Sequence, residues 1–331
     1  MKEQPLISVI IKTYNEEQGI AKTIRSIRTH LSQYPHEILV ADSLSSDSTQ
    51  AIAIAEGATV VSLVHGEERC CGVGHQLGYL HARGEFLLLM DGDMELEPEF
   101  IDAALEFLCS DMQYAGVAGL VEMDEASNYE FKSRKQRLKS IYPVGDCEHL
   151  GGGGLYRKSA IDEIGYLTNR NLHSCEEAEL GMRLKHAGYK LHRLEVPYFH
   201  HTSYDMSSLQ LLKQRWRSRY LAGPGELLRS AWGQKHFKDA LHIVKVWLIY
   251  TLNLVILAIS ILSLQPLLIL FSALPLIAFF SVKAAKNRSL KEASQSVINL
   301  TMFSAGIIRG FFTNQKDPKA APENKIIKAS E

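Results

Sequence analysis

Residues 85–98 read EFLLLMDGDMELEP. Phe86 to Met90 are apolar, and the carboxylates Asp91, Asp93 and Glu95 follow at once. A short apolar run bounded by polar residues is the pattern of a strand buried on both faces. Carboxylates crowded at one strand end repel one another unless a positive charge sits among them. The stretch therefore predicts a buried strand whose end needs a cation.

The preceding text alternates in the same way. LISVIIKTY (6–14) predicts a strand, and EEQGIAKTIRSIRTHL (16–31) a helix with apolar residues at Ile20, Ile24, Ile27 and Leu31. HEILVAD (36–42) and ATVVSLV (58–64) predict strands two and three, separated by a short helix over 45–57 that ends at Gly57. GVGHQLGYLHARG (72–84) predicts a third helix before the strand EFLLLM (85–90). This alternation predicts an α/β fold, a Rossmann-like and mostly parallel sheet with helices on both faces. Such sheets bind ligands beyond the carboxyl ends of their strands. Those ends here carry Thr13-Tyr14-Asn15-Glu16, Asp42-Ser43 and Asp91-Gly92-Asp93.

The net charge is −1 over 331 residues, so nothing in the charge favours a nucleic-acid partner. The five cysteines show no CxxC spacing, which fits reduced thiols in a cytosolic domain. The opening MKEQPLISVIIKTYNEE has too short an apolar run for a secretory signal. Composition changes after about residue 240, which predicts two domains, 1–240 and 241–331. Residues 246–282 are almost free of charge and break at Gln265-Pro266. They predict a membrane hairpin of two helices, 246–264 and 266–282. Lys235, Lys238 and Lys245 precede the hairpin; Lys283, Lys286, Arg288 and Lys291 follow it. That charge places both ends, and the first domain, on the cytoplasmic side of the cell inner membrane. The segment 296–312 is shorter and holds Arg309, so an interfacial or re-entrant helix is expected, followed by a basic tail.

An Asp-x-Asp at a strand end places two carboxylates near one divalent cation, Mg²⁺ or Mn²⁺, that also carries a diphosphate. Gly92 lets the chain turn sharply between them. Asp42 is placed to accept from a nucleobase N–H or to shape the turn, and Tyr14 to stack on a base. Arg69 and His75 are candidates for phosphate oxygens, with a solvated surface charge as the alternative for Arg69. HLGGGGLYRKSAIDEIGYL (149–167) allows close approach of backbone to a ligand, and lacks the Gly-Lys-Ser/Thr of a P-loop. Glu176, Glu177 and Glu179 open a helix, where they favour the helix dipole or supply a general base. The run KSRKQRLK (132–139) is a solvated face or a contact for anionic lipid.

Four segments in order, ISVIIKTYNEE, EILVADSLSSDST, GEFLLLMDGD and EEAELGMRLKHAGYK, resemble the family 2 glycosyltransferases of the GT-A fold over about residues 6–220. The resemblance implies inverting, metal-dependent transfer of a sugar from a nucleotide-diphosphate donor. It implies nucleotide contacts at Tyr14 and Glu16 with Thr13 beside them, base binding at Asp42, and ribose or metal binding at Asp91. Asp93 matches a metal ligand, and Glu177 the catalytic base. That base is usually Asp, which leaves the choice between Glu176 and Glu177 open. Where family members often read Ala-Arg-Asn-x-Gly, this chain has Gly74-His75-Gln76-Leu77-Gly78, so the arginine's role at His75 is unsettled. Leu212 stands where processive members have Gln, which implies a non-processive enzyme. Arg215 and Trp216 remain, for diphosphate or acceptor and for a sugar ring, or for lipid headgroups. His200 and His201 follow the strand EVPYF, and His201 is a candidate metal ligand. The expected acceptor is a lipid-linked or membrane-associated glycan, as in exopolysaccharide or envelope assembly. A polyprenyl-phosphate sugar synthase and a non-catalytic nucleotide-sugar-binding scaffold are the alternatives. A transporter is excluded because the apolar region holds no buried ionisable pair.

Overall fold

Seven strands and helices in the first 91 residues follow the alternation of the sequence. A computed structural model describes residues 4–123, 138–201 and 207–328. The strands are β1 Ile7–Thr13, β2 His36–Asp42, β3 Thr59–Leu63 and β4 Phe86–Asp91. They pair in parallel in the order β3-β2-β1-β4. Helices Ile20–His30, Thr49–Ala55 and Cys71–Tyr79 make the crossovers. Ile20, Ile24 and Ile27 lie on one stripe of the first helix and are fully buried.

Past β4 the pattern changes. β5 (Met94–Leu96), β6 (Tyr114–Met123), β7 (Gly145–Cys147), β8 (Gly154–Arg157), β9 (Lys190–His201) and β10 (Asn324–Lys328) complete the sheet. Its order is β10-β3-β2-β1-β4-β8-β6-β9-β5, with β7 on β9. The expected α/β sheet is present, but it is mixed. Among the described residues four ladders are parallel and five antiparallel. Three of the parallel ladders join the strands built by helical crossovers, and the fourth joins β6 to β9. β8 runs antiparallel to both of its neighbours, β4 and β6.

Register sets which side chains meet. Lys12 on β1 lies beside Asp91 on β4, and Thr13 beside Asp42 on β2. Neighbouring positions on one strand point to opposite faces. Lys12 and Asp91 therefore share one face, and Thr13 and Asp42 the other.

The chain divides into two compact units, Met1–Met206 with Gln315–Glu331, and Ser207–Asn314. The division differs from the sequence boundary at 240: residues 207–240 fall in the second unit, and residues after 314 return to the first and add β10 to the edge of β3. The second unit holds the helices Ser208–Arg217, Gly223–Ala231, Phe237–Leu262, Pro266–Asn287 and Leu290–Phe311. Phe237–Leu262 and Pro266–Asn287 are long and apolar enough to cross a membrane; the first begins nine residues before the expected 246–264 and ends two short of it, and the second begins at the expected residue 266 and runs five past 282. Only 17% and 6% of their apolar windows are buried, unlike a core helix. The segment 296–312 belongs to the longer helix Leu290–Phe311, which is not one of the two. Its buried residues are Ala293, Ser296, Ser304, Gly306, Ile307 and Gly310, small but for Ile307. A Cβ on Gly306 would lie 2.0 Å from the Leu221 carbonyl oxygen, so the helix packs there directly on backbone.

One buried side chain joins the core to the glycine run. The Tyr198 hydroxyl donates to the Leu89 carbonyl at 2.5 Å and accepts from the Gly154 N–H at 3.0 Å. Tyr198→Phe leaves both groups buried without that partner. The expected loss is about 1–3 kcal/mol in urea unfolding, with hydrogen exchange rising at Gly154 and its neighbours.

Candidate active site

The acid cluster at the end of β4 contains its own cation. Lys12 projects from β1 with its Nζ 3.2 Å from Asp91 Oδ1 and 3.3 Å from Glu176 Oε1. Burial by itself pushes a lysine pKa down, but Asp91, Glu176, Cys71 and Glu177 surround this one and hold it well above its ordinary value. A lysine inside the apolar strand ISVIIKT was the signal available in the sequence. Its partners come from residues 91 and 176, so the sequence could not pair them.

Glu176 and Glu177 open the helix Glu176–His186, preceded by Cys175 in the left-handed conformation at φ 68°. The two neighbours point to different partners. Glu176 is buried and meets Lys12. Glu177 accepts from the Gly152 N–H at 2.6 Å on one oxygen and the Gly153 N–H at 2.8 Å on the other. Gly151 to Gly154 have φ of 63°, 80°, 93° and 139°, a run of left-handed backbone that side chains disfavour. The glycine run thus approaches the protein's own carboxylate. Burial, helped by Glu176 and Asp91 and opposed by Lys12 and the Gly153 N–H, raises the Glu177 pKa to about 7.

Asp91 is about one-third exposed on its side chain, and its pKa is raised by burial, with Asp93 and Glu176 adding and Lys12 opposing. Asp93 lies in the turn between β4 and β5, half-buried. Gly92 is needed there for space more than for a left-handed turn. A Cβ at Gly92 would come within 2.9 Å of Thr13 Cγ2 and 3.1 Å of Glu16. Two carboxylates at one turn fit a divalent cation that draws its other ligands from diphosphate and water. Among the described residues no group of three or more His, Cys, Asp or Glu could hold a metal ion by itself. The His201 backbone ends β9 opposite Met94, but its side chain lies outside the described residues.

On the other face, Asp42 is fully buried. Its carboxylate accepts from the Ser45 N–H at 3.0 Å, the Ser45 hydroxyl at 2.5 Å, the Thr13 hydroxyl at 3.3 Å and the Gln50 amide. The turn-forming role is the one its geometry shows; the nucleobase contact is not, because the oxygens face inward. Leu44 follows at φ 60°, a strained conformation for a leucine. Arg69 is held rather than freely solvated. Its Nε donates to the Ser43 carbonyl at 2.7 Å, its Nη2 to the Leu44 carbonyl at 3.3 Å, and its guanidinium lies 3.9 Å from the Tyr14 ring centroid. Tyr14 is exposed beside it, and Glu16 is half-buried with its N–H on the Thr49 hydroxyl at 2.8 Å.

His75 is a correction. It is completely buried, with Nε2 3.2 Å from the Met90 carbonyl oxygen and 3.9 Å from Asp91 Oδ1. Burial, with Lys12 adding, pushes its pKa well below the ordinary value, and its full burial behind the strand end leaves it no surface to offer a phosphate. Arg215 and Trp216 belong to the second unit, where Arg215 lies 4.8 Å from the Tyr220 ring and the Trp216 carbonyl accepts from Arg309 at 3.1 Å. Most of KSRKQRLK, residues 132–137, lies outside the described residues.

Residues 8–165 match the model of the family described as Glycosyl transferase family 2. The chain is 22% identical over 226 residues to EpsH of Bacillus subtilis, named a glycosyltransferase, covering 64% of this chain and 65% of that protein. It is 22% identical over 204 residues to the undecaprenyl-phosphate 4-deoxy-4-formamido-L-arabinose transferase of Sodalis glossinidius, covering 59% of each. The chain thus spans somewhat less than two thirds of these relatives. Among solved structures it is similar in fold to the mannosyltransferase PcManGT from Pyrobaculum calidifontis, determined with GDP-Man and Mn²⁺. That likeness has a TM-score of 0.60 and 16% identity, over 94% of this chain and 88% of the other.

Lys12→Met removes the cation and leaves Asp91 and Glu176 facing each other. The Asp91 pKa, already raised by burial, then rises further, and a raised carboxylate pKa lowers stability as pH increases through that range. The variant is expected to unfold nearly like the parent below about pH 4, the unfolded carboxylate pKa, and to lose about 2 kcal/mol at pH 8, read from urea melts at pH 3.5 and 8.

Proposed function

We propose that this chain, which carries a family 2 glycosyltransferase domain of the GT-A fold, transfers a sugar with inversion from a nucleotide-diphosphate donor to a hydroxyl of a lipid-linked or membrane-associated glycan. The observation that carries this reading is Glu177, fixed by two backbone N–H groups yet with a pKa near 7. A general base works best when its pKa lies near the working pH.

In this reading the Glu177 carboxylate takes the proton of the acceptor hydroxyl. The acceptor oxygen forms a bond to the anomeric carbon on the face opposite the leaving group, and the bond from that carbon to the diphosphate oxygen breaks. Asp91 and Asp93 would hold Mg²⁺ or Mn²⁺, which when bound supplies neutralisation of charge on the departing diphosphate. Glu176 is engaged by Lys12, which leaves Glu177 as the carboxylate assigned to the acceptor. Tyr14, exposed against Arg69, offers a face to the base. PcManGT, similar in fold, was determined with GDP-Man and Mn²⁺, which supports a nucleotide donor with a divalent metal.

Membrane placement is supported by the two apolar helices, whose exposed side chains include Ile249, Leu252, Ile256, Leu268 and Phe271. The flanking lysines favour a cytoplasmic first unit at the inner membrane. Several relatives are named as undecaprenyl-phosphate transferases, which favours a lipid acceptor and also a second reading, a polyprenyl-phosphate sugar synthase. The base discriminates between them in chemistry. A phosphate is already ionised at neutral pH and needs no proton removed, whereas a hydroxyl does. A product that releases its sugar in mild acid would favour the second reading.

Glu177 must be deprotonated to act, so kcat is expected to rise with pH through about 7 and then level. In Glu177→Gln that limb disappears and kcat falls by about 10²–10⁴-fold, while calorimetry with UDP or GDP plus Mn²⁺ shows unchanged donor-side binding. Unimpaired turnover in this variant would remove the base assignment. Asp93→Ala has the opposite signature: the Mn²⁺-dependent part of nucleoside diphosphate binding is lost along with turnover.

A further inference from the structure

The residues after the last long helix do more than cover the edge of β3. β10 pairs antiparallel with β3, from Asn324 beside Leu63 to Lys328 beside Val60. An edge strand needs only such a ladder to be protected. Here a second set of contacts gathers on residues 64–69, just beyond β3. The Val64 N–H donates to the Glu323 carbonyl at 3.1 Å, and His65 Nε2 lies 2.8 Å from Glu323 Oε2. Glu68 is the hub. Its side chain is 9% exposed and pairs with Arg170 at 2.8 Å on one oxygen and with Lys316 on the other. The same Arg170 donates to the Ala320 carbonyl at 2.6 Å, and the Asn171 amide donates to the Lys316 carbonyl at 2.8 Å. The next residue after Glu68 is Arg69, whose side chain binds the Ser43 and Leu44 carbonyls and covers Tyr14.

We propose that residues 315–328 are a positioning element of the donor pocket, acting through Glu68 and Arg170 to place Arg69 against Tyr14 and the Ser43-Leu44 turn. The proposal rests on the reading that Tyr14 and Arg69 face the donor nucleotide. Its physical basis is that Arg69 sits on a short loop with no helix or strand of its own beyond a single turn at Gly66–Glu68. A loop of that kind keeps one geometry only where it is tied at its flanks. The tail supplies the tie at the start of the loop through Glu323 and shares the one at its end, where Lys316 meets Glu68 and Ala320 holds the Arg170 that pairs with the same Glu68.

The test uses the full chain with Lys316→Ala and Glu323→Ala combined, a truncation ending at Asn314, Lys316→Arg as the conservative variant, and Arg69→Ala as the reference. Donor KM and kcat are read with UDP- and GDP-sugars, binding of UDP and GDP with Mn²⁺ by calorimetry, and hydrogen exchange over 64–69. The double variant and the truncation are expected to raise donor KM about tenfold with kcat little changed, to speed exchange over 64–69, and to leave exchange in β1 and β4 unaltered. Lys316→Arg restores the parent values. If Arg69→Ala weakens nucleotide binding while the tail variants bind as the parent does, the positioning role is overturned and the pocket reading stands. If Arg69→Ala binds nucleotide normally, the pocket reading fails and the tail's role in donor binding fails with it.

Discussion

The first unit is organised around one ammonium group, the Lys12 Nζ between Asp91 and Glu176. Burying a lysine is unfavourable, and so is gathering carboxylates at one strand end; each condition is tolerable only in the presence of the other. The arrangement depends on the parallel register of β1 and β4, which sets Lys12 beside Asp91. A slip of one residue would turn the lysine to the opposite face. The same contact ties the start of the helix Glu176–His186 to the sheet, and so places Glu177 as well.

With Glu176 committed to the lysine, its neighbour is left to the glycine run. Two adjacent carboxylates, alike in sequence, thereby acquire different surroundings: one in an ion pair, the other in a cradle of backbone N–H groups. The cradle exists because four successive glycines take left-handed backbone, and Tyr198 fixes its last N–H to the core. Burial, with crowding among the acids adding to it, raises the Glu177 pKa in spite of the Gly153 N–H, which by itself would lower it. The outcome is a carboxylate both immobile and basic, a combination suited to proton removal from a hydroxyl.

The opposite face of the sheet follows a different logic. Asp42 does not look outward; it organises the turn through Ser45, Thr13 and Gln50. What that turn displays is backbone and the ring of Tyr14, with Arg69 bridging them. The strained Leu44 is part of the same turn, and such strain persists only where neighbouring contacts hold it.

Much of the fold was legible because its signals are local. Apolar runs, helical spacing and glycine stops in the first 91 residues identified strands and helices within a few positions, and two uncharged stretches identified the long apolar helices. The strand-end carboxylates and the Glu pair were visible for the same reason. What tertiary structure alone decided is everything that joins distant residues: the antiparallel half of the sheet, the return of residues 315–328 to β3, the inward turn of Asp42 and the burial of His75. One cation beside the carboxylates of EFLLLMDGDMELEP belongs to this class. It is Lys12, 79 residues earlier than Asp91, and one charge in a strand has no partner until register and packing bring the other charges to it.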